Sequence, residues 1–135
     1  MADLLIVDDD VDAAQALAEV LDAEGHGIRI GHDGREGLRL ARERLPDVAL
    51  IDVQMPVLGG PAMVQGMLIA DMGLETVPVI FMSGSPNVEE IAADVGTPYF
   101  LRKPFDGAEA ATLVKQALTE RRLPASRERR PPQRP

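Results

Sequence analysis

The sequence predicts an α/β fold in which a five-stranded parallel sheet is covered by helices on both faces. Four short apolar runs, residues 4–7, 48–51, 77–82 and 99–102, each end at a polar residue. Runs of this length are typical of buried parallel strands. Amphipathic segments separate them, and such alternation gives a parallel sheet with right-handed crossovers. The pattern therefore predicts five βα units, (βα)5, over about 120 residues.

The first half of the chain supplies two helices and a short strand. Residues 11–24 have helical periodicity, and Gly25 is suited to end that helix. Residues 28–30 form the short second strand, and residues 34–44 form an Arg- and Glu-rich helix. The apolar face predicted for the first helix consists of Val11, Ala14, Leu17, Ala18 and Leu21.

Three more helices complete the prediction. A helix over residues 61–72 has Pro61 in its first turn, and residues 87–95 form a short helix. The last helix covers residues 106–122, with Asp106 as its N-cap. The common five-stranded arrangement is the flavodoxin-like three-layer sandwich of strand order 2-1-3-4-5. In that order strands 1 and 3 are neighbours, so the groups that follow them meet in one crevice.

Composition excludes several classes of protein. At 135 residues the chain fits one domain with its own core. It has no cysteine, which excludes disulfides and thiolate metal sites, and its two histidines are too few for a histidine metal cage. The N-terminus lacks the basic region of a signal peptide, and no apolar stretch is long enough to span a membrane. We therefore expect a cytoplasmic protein.

Charge divides the chain into two parts. Residues 121–135 contain six arginines and one glutamate, a net of +5, which leaves −13 for residues 1–120. The acidic body argues against nucleic-acid binding by the folded domain, expected over residues 1–122. The Arg- and Pro-rich tail, residues 123–135, is expected to be disordered because it has little to bury. A basic arm that contacts an acidic partner or nucleic acid is the alternative.

Three carboxylates converge at the carboxyl edge of the predicted sheet. Asp8 and Asp9 follow the first strand, and Asp52 follows the third. Clustered carboxylates repel one another and must be neutralised by protonation or by a cation. Oxygen ligands without histidine or thiolate favour a hard ion, and Mg²⁺ fits best.

Two further polar groups reach the same edge. Ser83 follows the fourth strand and Lys103 follows the fifth. A divalent cation, an ammonium group and a hydroxyl around an aspartate form a receptacle for a phosphoryl group. Aspartate is a phosphoryl acceptor in enzymes that form aspartyl-phosphate. We therefore expect Asp52, alone at its strand end and followed by an open loop, to be the nucleophile.

These motifs resemble those of a two-component response-regulator receiver domain, in particular the stand-alone, chemotaxis-regulator-like type. The resemblance extends from residue 3 to about residue 122. Each motif alone is weak, but their order and spacing together are specific. The matching pieces are Val7-Asp8-Asp9, Ile51-Asp52-Val53-Gln54-Met55-Pro56 with Gly60 further on, Phe81-Met82-Ser83-Gly84, and Leu101-Arg102-Lys103-Pro104-Phe105.

The resemblance implies a phosphorelay function. Asp52 would receive a phosphoryl group from the phosphohistidine of a sensor histidine kinase or histidine phosphotransfer protein. Asp9, Asp52 and the backbone carbonyl of Gln54 would bind Mg²⁺, with Asp8 close by or acting through water. The protein would then be a phosphoacceptor switch rather than an enzyme, with only self-phosphorylation and autodephosphorylation chemistry.

The resemblance also implies a switch. Lys103 would contact the phosphoryl group, Ser83 would move toward it on activation, and Phe100 occupies the position of the family's switch aromatic residue. The Lys103–Pro104 peptide bond would be cis. Lys103 follows Ser83 by twenty positions, about two fewer than is usual in the family, so the fourth helix is expected to be short or irregular.

Partners and oligomeric state follow from the same resemblance. Nothing after residue 122 has the pattern of an output domain, so we expect a stand-alone receiver, or one excised from a larger protein. It would act on an unknown downstream protein target by phosphorylation-dependent binding, or as a phosphorelay intermediate. We expect a monomer or a weak, phosphorylation-dependent dimer.

Alternatives exist for several residues and for the whole chain. Asp10 is better explained as the N-cap of the first helix than as a metal ligand. A phosphohydrolase of the haloacid-dehalogenase type would need an aspartate at position 54, where this chain has Gln54. A degenerate receiver that binds partners without phosphorylation is a second alternative. A nucleotide-binding module is disfavoured because no glycine-rich phosphate loop follows the first strand.

Overall fold

A computed structural model describes residues 2–69 and 73–124 of the chain. Five strands form one parallel sheet of order β2-β1-β3-β4-β5, which confirms the predicted topology. Each strand is four or five residues long, as expected for strands buried on both faces. The strands are β1 (Asp3–Val7), β2 (Gly27–Gly31), β3 (Val48–Asp52), β4 (Val79–Ser83) and β5 (Tyr99–Arg102).

Five α-helices cover the two faces of the sheet. The first and the last helix pack together on one face, and the other three pack on the opposite face. The predicted three-layer sandwich is therefore confirmed. The helices are α1 (Val11–Ala23), α2 (Gly34–Glu43), α3 (Gly60–Ile69), α4 (Val88–Val95) and α5 (Gly107–Glu120), and a 3-10 turn, Leu74–Thr76, precedes β4.

The core forms two layers because successive residues of a strand point to opposite faces of the sheet. Leu4 and Ile6 of β1 belong to the layer under α1 and α5. Leu5 and Val7, which alternate with them, belong to the layer under α2, α3 and α4. The continuous apolar run of β1 is thus explained by burial on both faces.

The local signals at the helix ends act as the sequence predicts. Asp10 caps α1 by accepting a hydrogen bond from the backbone N of Ala13 at 3.1 Å. Asp106 caps α5 in the same way through the backbone N of Glu109 at 2.8 Å. The fourth helix is short, with eight residues, and ends at Gly96 in the left-handed conformation.

Some details differ from the prediction. Val11 is 60% exposed rather than inward, because α1 begins at this residue and its first buried side chain is Ala14. Strand β4 begins at Val79, since Pro78 has no N–H to donate to a neighbouring strand. The predicted end of the third helix (residues 70–72) and the predicted tail from residue 125 onward lie outside the described residues. No helix in the described part is long and apolar enough to cross a membrane.

Candidate functional site

The carboxyl edge of the sheet brings the three predicted aspartates together. Val7 of β1 pairs with Ile51 of β3, so the residues that follow, Asp8 and Asp52, lie side by side. Asp9 completes the group, and one carboxylate oxygen from each of the three residues lies within 4.8 Å of the others. Neighbouring strands therefore place the cluster, as the strand order predicts.

Asp8 is held rigidly at the base of this cluster. The residue is only 2% exposed. Its Oδ2 accepts a hydrogen bond from Nζ of Lys103 at 2.9 Å, and its Oδ1 accepts one from the backbone N of Asp10 at 3.0 Å. Two donors on opposite oxygens fix the orientation of the carboxylate, and the ammonium offsets its charge.

Asp52 is also buried, but fewer contacts offset the charge of its carboxylate than offset that of Asp8. The residue is 7% exposed, and its Oδ1 lies 3.3 Å from Nζ of Lys103. Burial and the charge of Asp8 raise its pKa from 3.8 to about 6, against the lowering effect of Lys103. The cluster therefore contains three carboxylates and one lysine, so it carries excess negative charge at neutral pH.

Lys103 reaches the cluster from the end of β5. Its backbone N donates to the carbonyl of Ser83 at 2.8 Å, which continues the pairing of β4 with β5. The Lys103–Pro104 peptide bond is cis, as the resemblance implies. Burial lowers the pKa of the ammonium, but the hydrogen bond to Asp8 and the charge of Asp52 outweigh burial and leave the pKa raised. Lys103 is therefore a cation that bridges two carboxylates.

The other predicted site residues lie around this centre. Ser83 is buried at the end of β4, and its Oγ accepts a hydrogen bond from the backbone N of Ser85 at 3.0 Å. Gln54 is exposed in the loop after Asp52. Phe100 is half-buried on β5, with the guanidinium of Arg102 5.9 Å from the centre of its ring. None of these contacts tests the switch role predicted for Ser83 and Phe100.

Gly60 contributes through its lack of a side chain. A Cβ at this position would lie 2.5 Å from the carbonyl oxygen of Asp52 and 3.1 Å from the ring of Phe81. The backbone N of Gly60 donates to the carbonyl of Val53 at 3.0 Å, which brings the start of α3 against the end of β3. Glycine is therefore required here for the close approach that positions Asp52.

Two features of the site were missed by sequence reasoning. The direct pairing of Lys103 with Asp8 was not predicted, because pattern shows only that both reach one edge. The steric role of Gly60 was also missed, although its place in the matched motif was a signal. Both depend on contacts between residues that are separated in the sequence and meet only in the folded chain.

The donor set fits a hard divalent cation. Among the described residues, three carboxylates converge with no histidine or thiolate in the group. Carboxylate oxygens are the ligands that Mg²⁺ and similar ions prefer, and a few carboxylates with retained waters suit Mg²⁺ in particular. The excess negative charge left by a single lysine is a further reason for a cation to bind here.

Comparison with known proteins agrees with this geometry. The response regulator receiver domain model matches residues 4–115. The transcriptional regulatory protein PrrA of Mycobacterium tuberculosis is 36% identical over 120 residues, which are 87% of this chain and 50% of that protein. The crystal structure of a putative response regulator from Chloroflexus aurantiacus superposes with a TM-score of 0.81 at 29% identity and covers 87% of this chain and 98% of its own.

A second solved structure, the receiver domain of the Francisella response regulator 1452, has a TM-score of 0.80 at 26% identity and covers 89% of this chain and 98% of its own. The 120 matched residues are about half the length of PrrA. With the family match, the strand order and the convergent aspartates in agreement, the chain belongs to the response regulator receiver domain family.

Proposed function

We propose that Asp52 accepts a phosphoryl group from the phosphohistidine of a sensor histidine kinase or a histidine phosphotransfer protein, in a reaction that requires Mg²⁺. The observation that supports this most is the position of Asp52. It is a nearly buried carboxylate with a pKa of about 6, beside two more carboxylates and within 3.3 Å of an ammonium group.

The chemistry needs few groups from the protein. A lone pair on a carboxylate oxygen of Asp52 forms a bond to phosphorus, while the bond from phosphorus to the donor nitrogen breaks and its electron pair leaves with the imidazole. Lys103, already adjacent to Asp52, offsets charge on the phosphoryl oxygens. With a pKa of about 6, Asp52 is mostly ionised at pH 7 and available as the nucleophile.

Mg²⁺ would be held by Asp9, Asp52 and the backbone carbonyl of Gln54, with Asp8 close by or acting through water. The convergence of the three carboxylates supports this assignment. When bound, the ion would neutralise charge shared by the carboxylates and the incoming phosphoryl oxygens. Because Asp8 already accepts two hydrogen bonds, an indirect role suits it better than direct coordination.

Phosphorylation would change partner binding through Ser83 and Phe100. Ser83 would turn its hydroxyl toward the phosphoryl group, and the loop up to α4 would move with it. The protein would thus be a phosphoacceptor switch, with hydrolysis of its own aspartyl-phosphate as its only turnover. The downstream target would be a protein, and we propose a monomer or a weak dimer that depends on phosphorylation.

Intact-mass spectrometry with acetyl phosphate tests the central proposal. Wild type with Mg²⁺ should gain the mass of one phosphoryl group, and the gain should vanish with a chelator. Asp52→Asn should show no gain. Asp22→Asn makes the same change at an exposed position on α1 and should behave as wild type.

Three outcomes would contradict the proposal. A folded, Mg²⁺-binding protein that gains no mass would indicate a degenerate receiver. Steady hydrolysis of a general phosphatase substrate that survives Asp52→Asn would indicate a different active centre. Equal loss in the Asp22→Asn control would trace the effect to the change of charge rather than to the nucleophile.

A further inference from the structure

Tyr99, the first residue of β5, makes polar contacts that the phosphoryl site does not require. The residue is 1% exposed, yet its hydroxyl lies near the end of α5. The hydroxyl donates to Oε1 of Glu120 at 2.9 Å and accepts from the backbone N of Arg122 at 3.3 Å. A phenol that donates and accepts once each is a fully used hydrogen-bonding group.

The residues that follow α5, 121–124, are termed the exit segment. Besides the contact of Arg122 with Tyr99, this segment makes a second contact with the rest of the domain. Arg121 ends α5 in the left-handed conformation, with φ of 52°, and its guanidinium donates to the carbonyl of Thr76 at 3.1 Å. Pro124 is buried. The direction in which the chain leaves α5 is therefore set by contacts with the body of the domain.

Strand β5 connects this segment with the phosphoryl site. Tyr99 packs in the layer under α1 and α5, whereas the next residue, Phe100, packs in the layer of α2, α3 and α4. Lys103 follows at the other end of the same strand and contacts Asp8 and Asp52. A displacement of β5 must move these side chains together, because they share one short stretch of backbone.

We propose that Tyr99 is a tether that transmits the phosphorylation state of the domain from β5 to the exit segment. The hydroxyl links the strand to Glu120 and Arg122, so a shift of β5 alters the hydrogen bond that holds the backbone of Arg122. This inference rests on the proposed function, because it needs Asp52 to accept a phosphoryl group. It adds an output route at the end of the domain opposite the site.

Amide hydrogen exchange reports this contact directly, with Mg²⁺ and beryllofluoride as the probe in place of the phosphoryl group. In wild type, the probe should change the exchange rate of the Arg122 amide several-fold. Tyr99→Phe keeps the ring in the core but removes the hydroxyl. Without the probe, the Arg122 amide of this variant should exchange about fivefold faster, as expected for one lost hydrogen bond.

The decisive readout is the response of Tyr99→Phe to the probe. The change at Arg122 should fall below about twofold, while the rate of Asp52 phosphorylation by acetyl phosphate stays at the wild-type value. Thr119→Val removes a comparable hydrogen bond at the end of α5, to the carbonyl of Lys115, and should keep the wild-type response. Glu120→Gln, which retains an acceptor for the hydroxyl, should also keep it.

The failures of the two proposals are distinguishable. A wild-type protein that is phosphorylated on Asp52 but shows no change at Arg122 would overturn the tether alone. So would a full response in Tyr99→Phe. A protein that forms no adduct with beryllofluoride and no phosphoryl adduct would overturn the proposed function, and the tether with it.

Discussion

The two edges of the sheet differ in how their charged side chains are paired. At the amino edge, where the strands begin, Asp3 and Asp47 have favourable partners: Arg44 pairs with Asp3 at 2.8 Å, and Asp47 accepts a hydrogen bond from the backbone N of Asp3 at 2.7 Å. At the carboxyl edge, Asp8, Asp9 and Asp52 share a single ammonium group.

The difference shows which edge of the sheet gives up stability of the folded state in order to bind a ligand. Pairing at the amino edge satisfies polar groups and fixes the ends of strands and helices. At the carboxyl edge, buried carboxylates repel each other, which destabilises the folded state until a proton or a cation arrives. The carboxyl edge is thus suited to bind a cation, whereas the contacts of the amino edge stabilise the fold.

The largest effect is expected from Gly60→Ala at the carboxyl edge. The new Cβ would lie 2.5 Å from the carbonyl oxygen of Asp52, so the end of β3 must shift. A displacement of about 1 Å at a reacting group costs about 100-fold in rate. The rate of phosphorylation by acetyl phosphate should fall by about this factor, measured by intact mass against time.

Gly27→Ala at the amino edge is the matched control. A Cβ there would meet its nearest atom, Oδ1 of Asp3, at 3.7 Å, an ordinary contact. Stability and phosphorylation rate should stay close to those of wild type. If Gly60→Ala phosphorylates as fast as Gly27→Ala, Asp52 does not depend on the close approach of α3.

Mg²⁺ should stabilise the protein through the carboxyl edge. At a hundred times its dissociation constant, a ligand that binds only the folded state adds about 2.7 kcal/mol to the free energy of unfolding. The gain, measured by urea unfolding, should be larger at pH 8 than at pH 5, because Asp52, with a pKa of about 6, is protonated at the lower pH. Asp9→Asn should reduce the gain, and Asp22→Asn should not.

Asp52→Asn should stabilise the metal-free protein at pH 8 by on the order of 2 kcal/mol. Folding raises the pKa of Asp52 from 3.8 to about 6. The folded state therefore binds the proton more tightly, and the stability that this proton provides is full below pH 3.8 and lost as the pH rises through about 6. The variant should lose this dependence, measured by urea unfolding between pH 4 and pH 8.

The same substitution at the amino edge, Asp47→Asn, should have the opposite sign. Asp47 accepts a hydrogen bond from the backbone N of Asp3, so loss of its charge weakens a favourable contact by a few tenths of a kcal/mol. Destabilisation by Asp52→Asn at pH 8 without metal would contradict the difference between the two edges.

A comparably small effect is expected from Arg44→Ala. The Arg44 side chain is 66% exposed although it contacts Asp3, and exposed ion pairs contribute about 0.5 kcal/mol. The free energy of unfolding should be lower in Arg44→Ala by about that amount. The difference from wild type should shrink at high salt, because salt screens an exposed ion pair. A loss several times larger would show that the pairs of the amino edge carry more stability than their exposure implies.

Sequence pattern predicted most of the fold because the relevant signals are local. The apolar runs, the N-caps Asp10 and Asp106, and Gly25 after the first helix act within a few residues of their own position. The position of the three aspartates also followed, since strand ends in a parallel sheet share one edge. Val11 was placed wrongly because periodicity does not show where the core ends along a helix.

Other features depend on contacts that no local signal encodes. The Lys103–Asp8 pair joins residues 95 positions apart in the chain, and the contact of Tyr99 with Glu120 spans 21. Alternation along β5 predicts that Tyr99 lies on the face of the sheet that α5 covers. It does not predict that the hydroxyl contacts the end of that helix. These pairings follow from three-dimensional packing of β5 between the helical layers.

The most direct measurement is an NMR titration of the Asp52 carboxyl with and without Mg²⁺. In the metal-free protein its pKa should lie at about 6, because burial and Asp8 disfavour its ionised form. With Mg²⁺ present the pKa should fall well below that value, since the cation favours the ionised carboxylate. An Asp52 that titrates at its ordinary value and does not respond to Mg²⁺ would show that the carboxyl edge is not a charged site awaiting a cation.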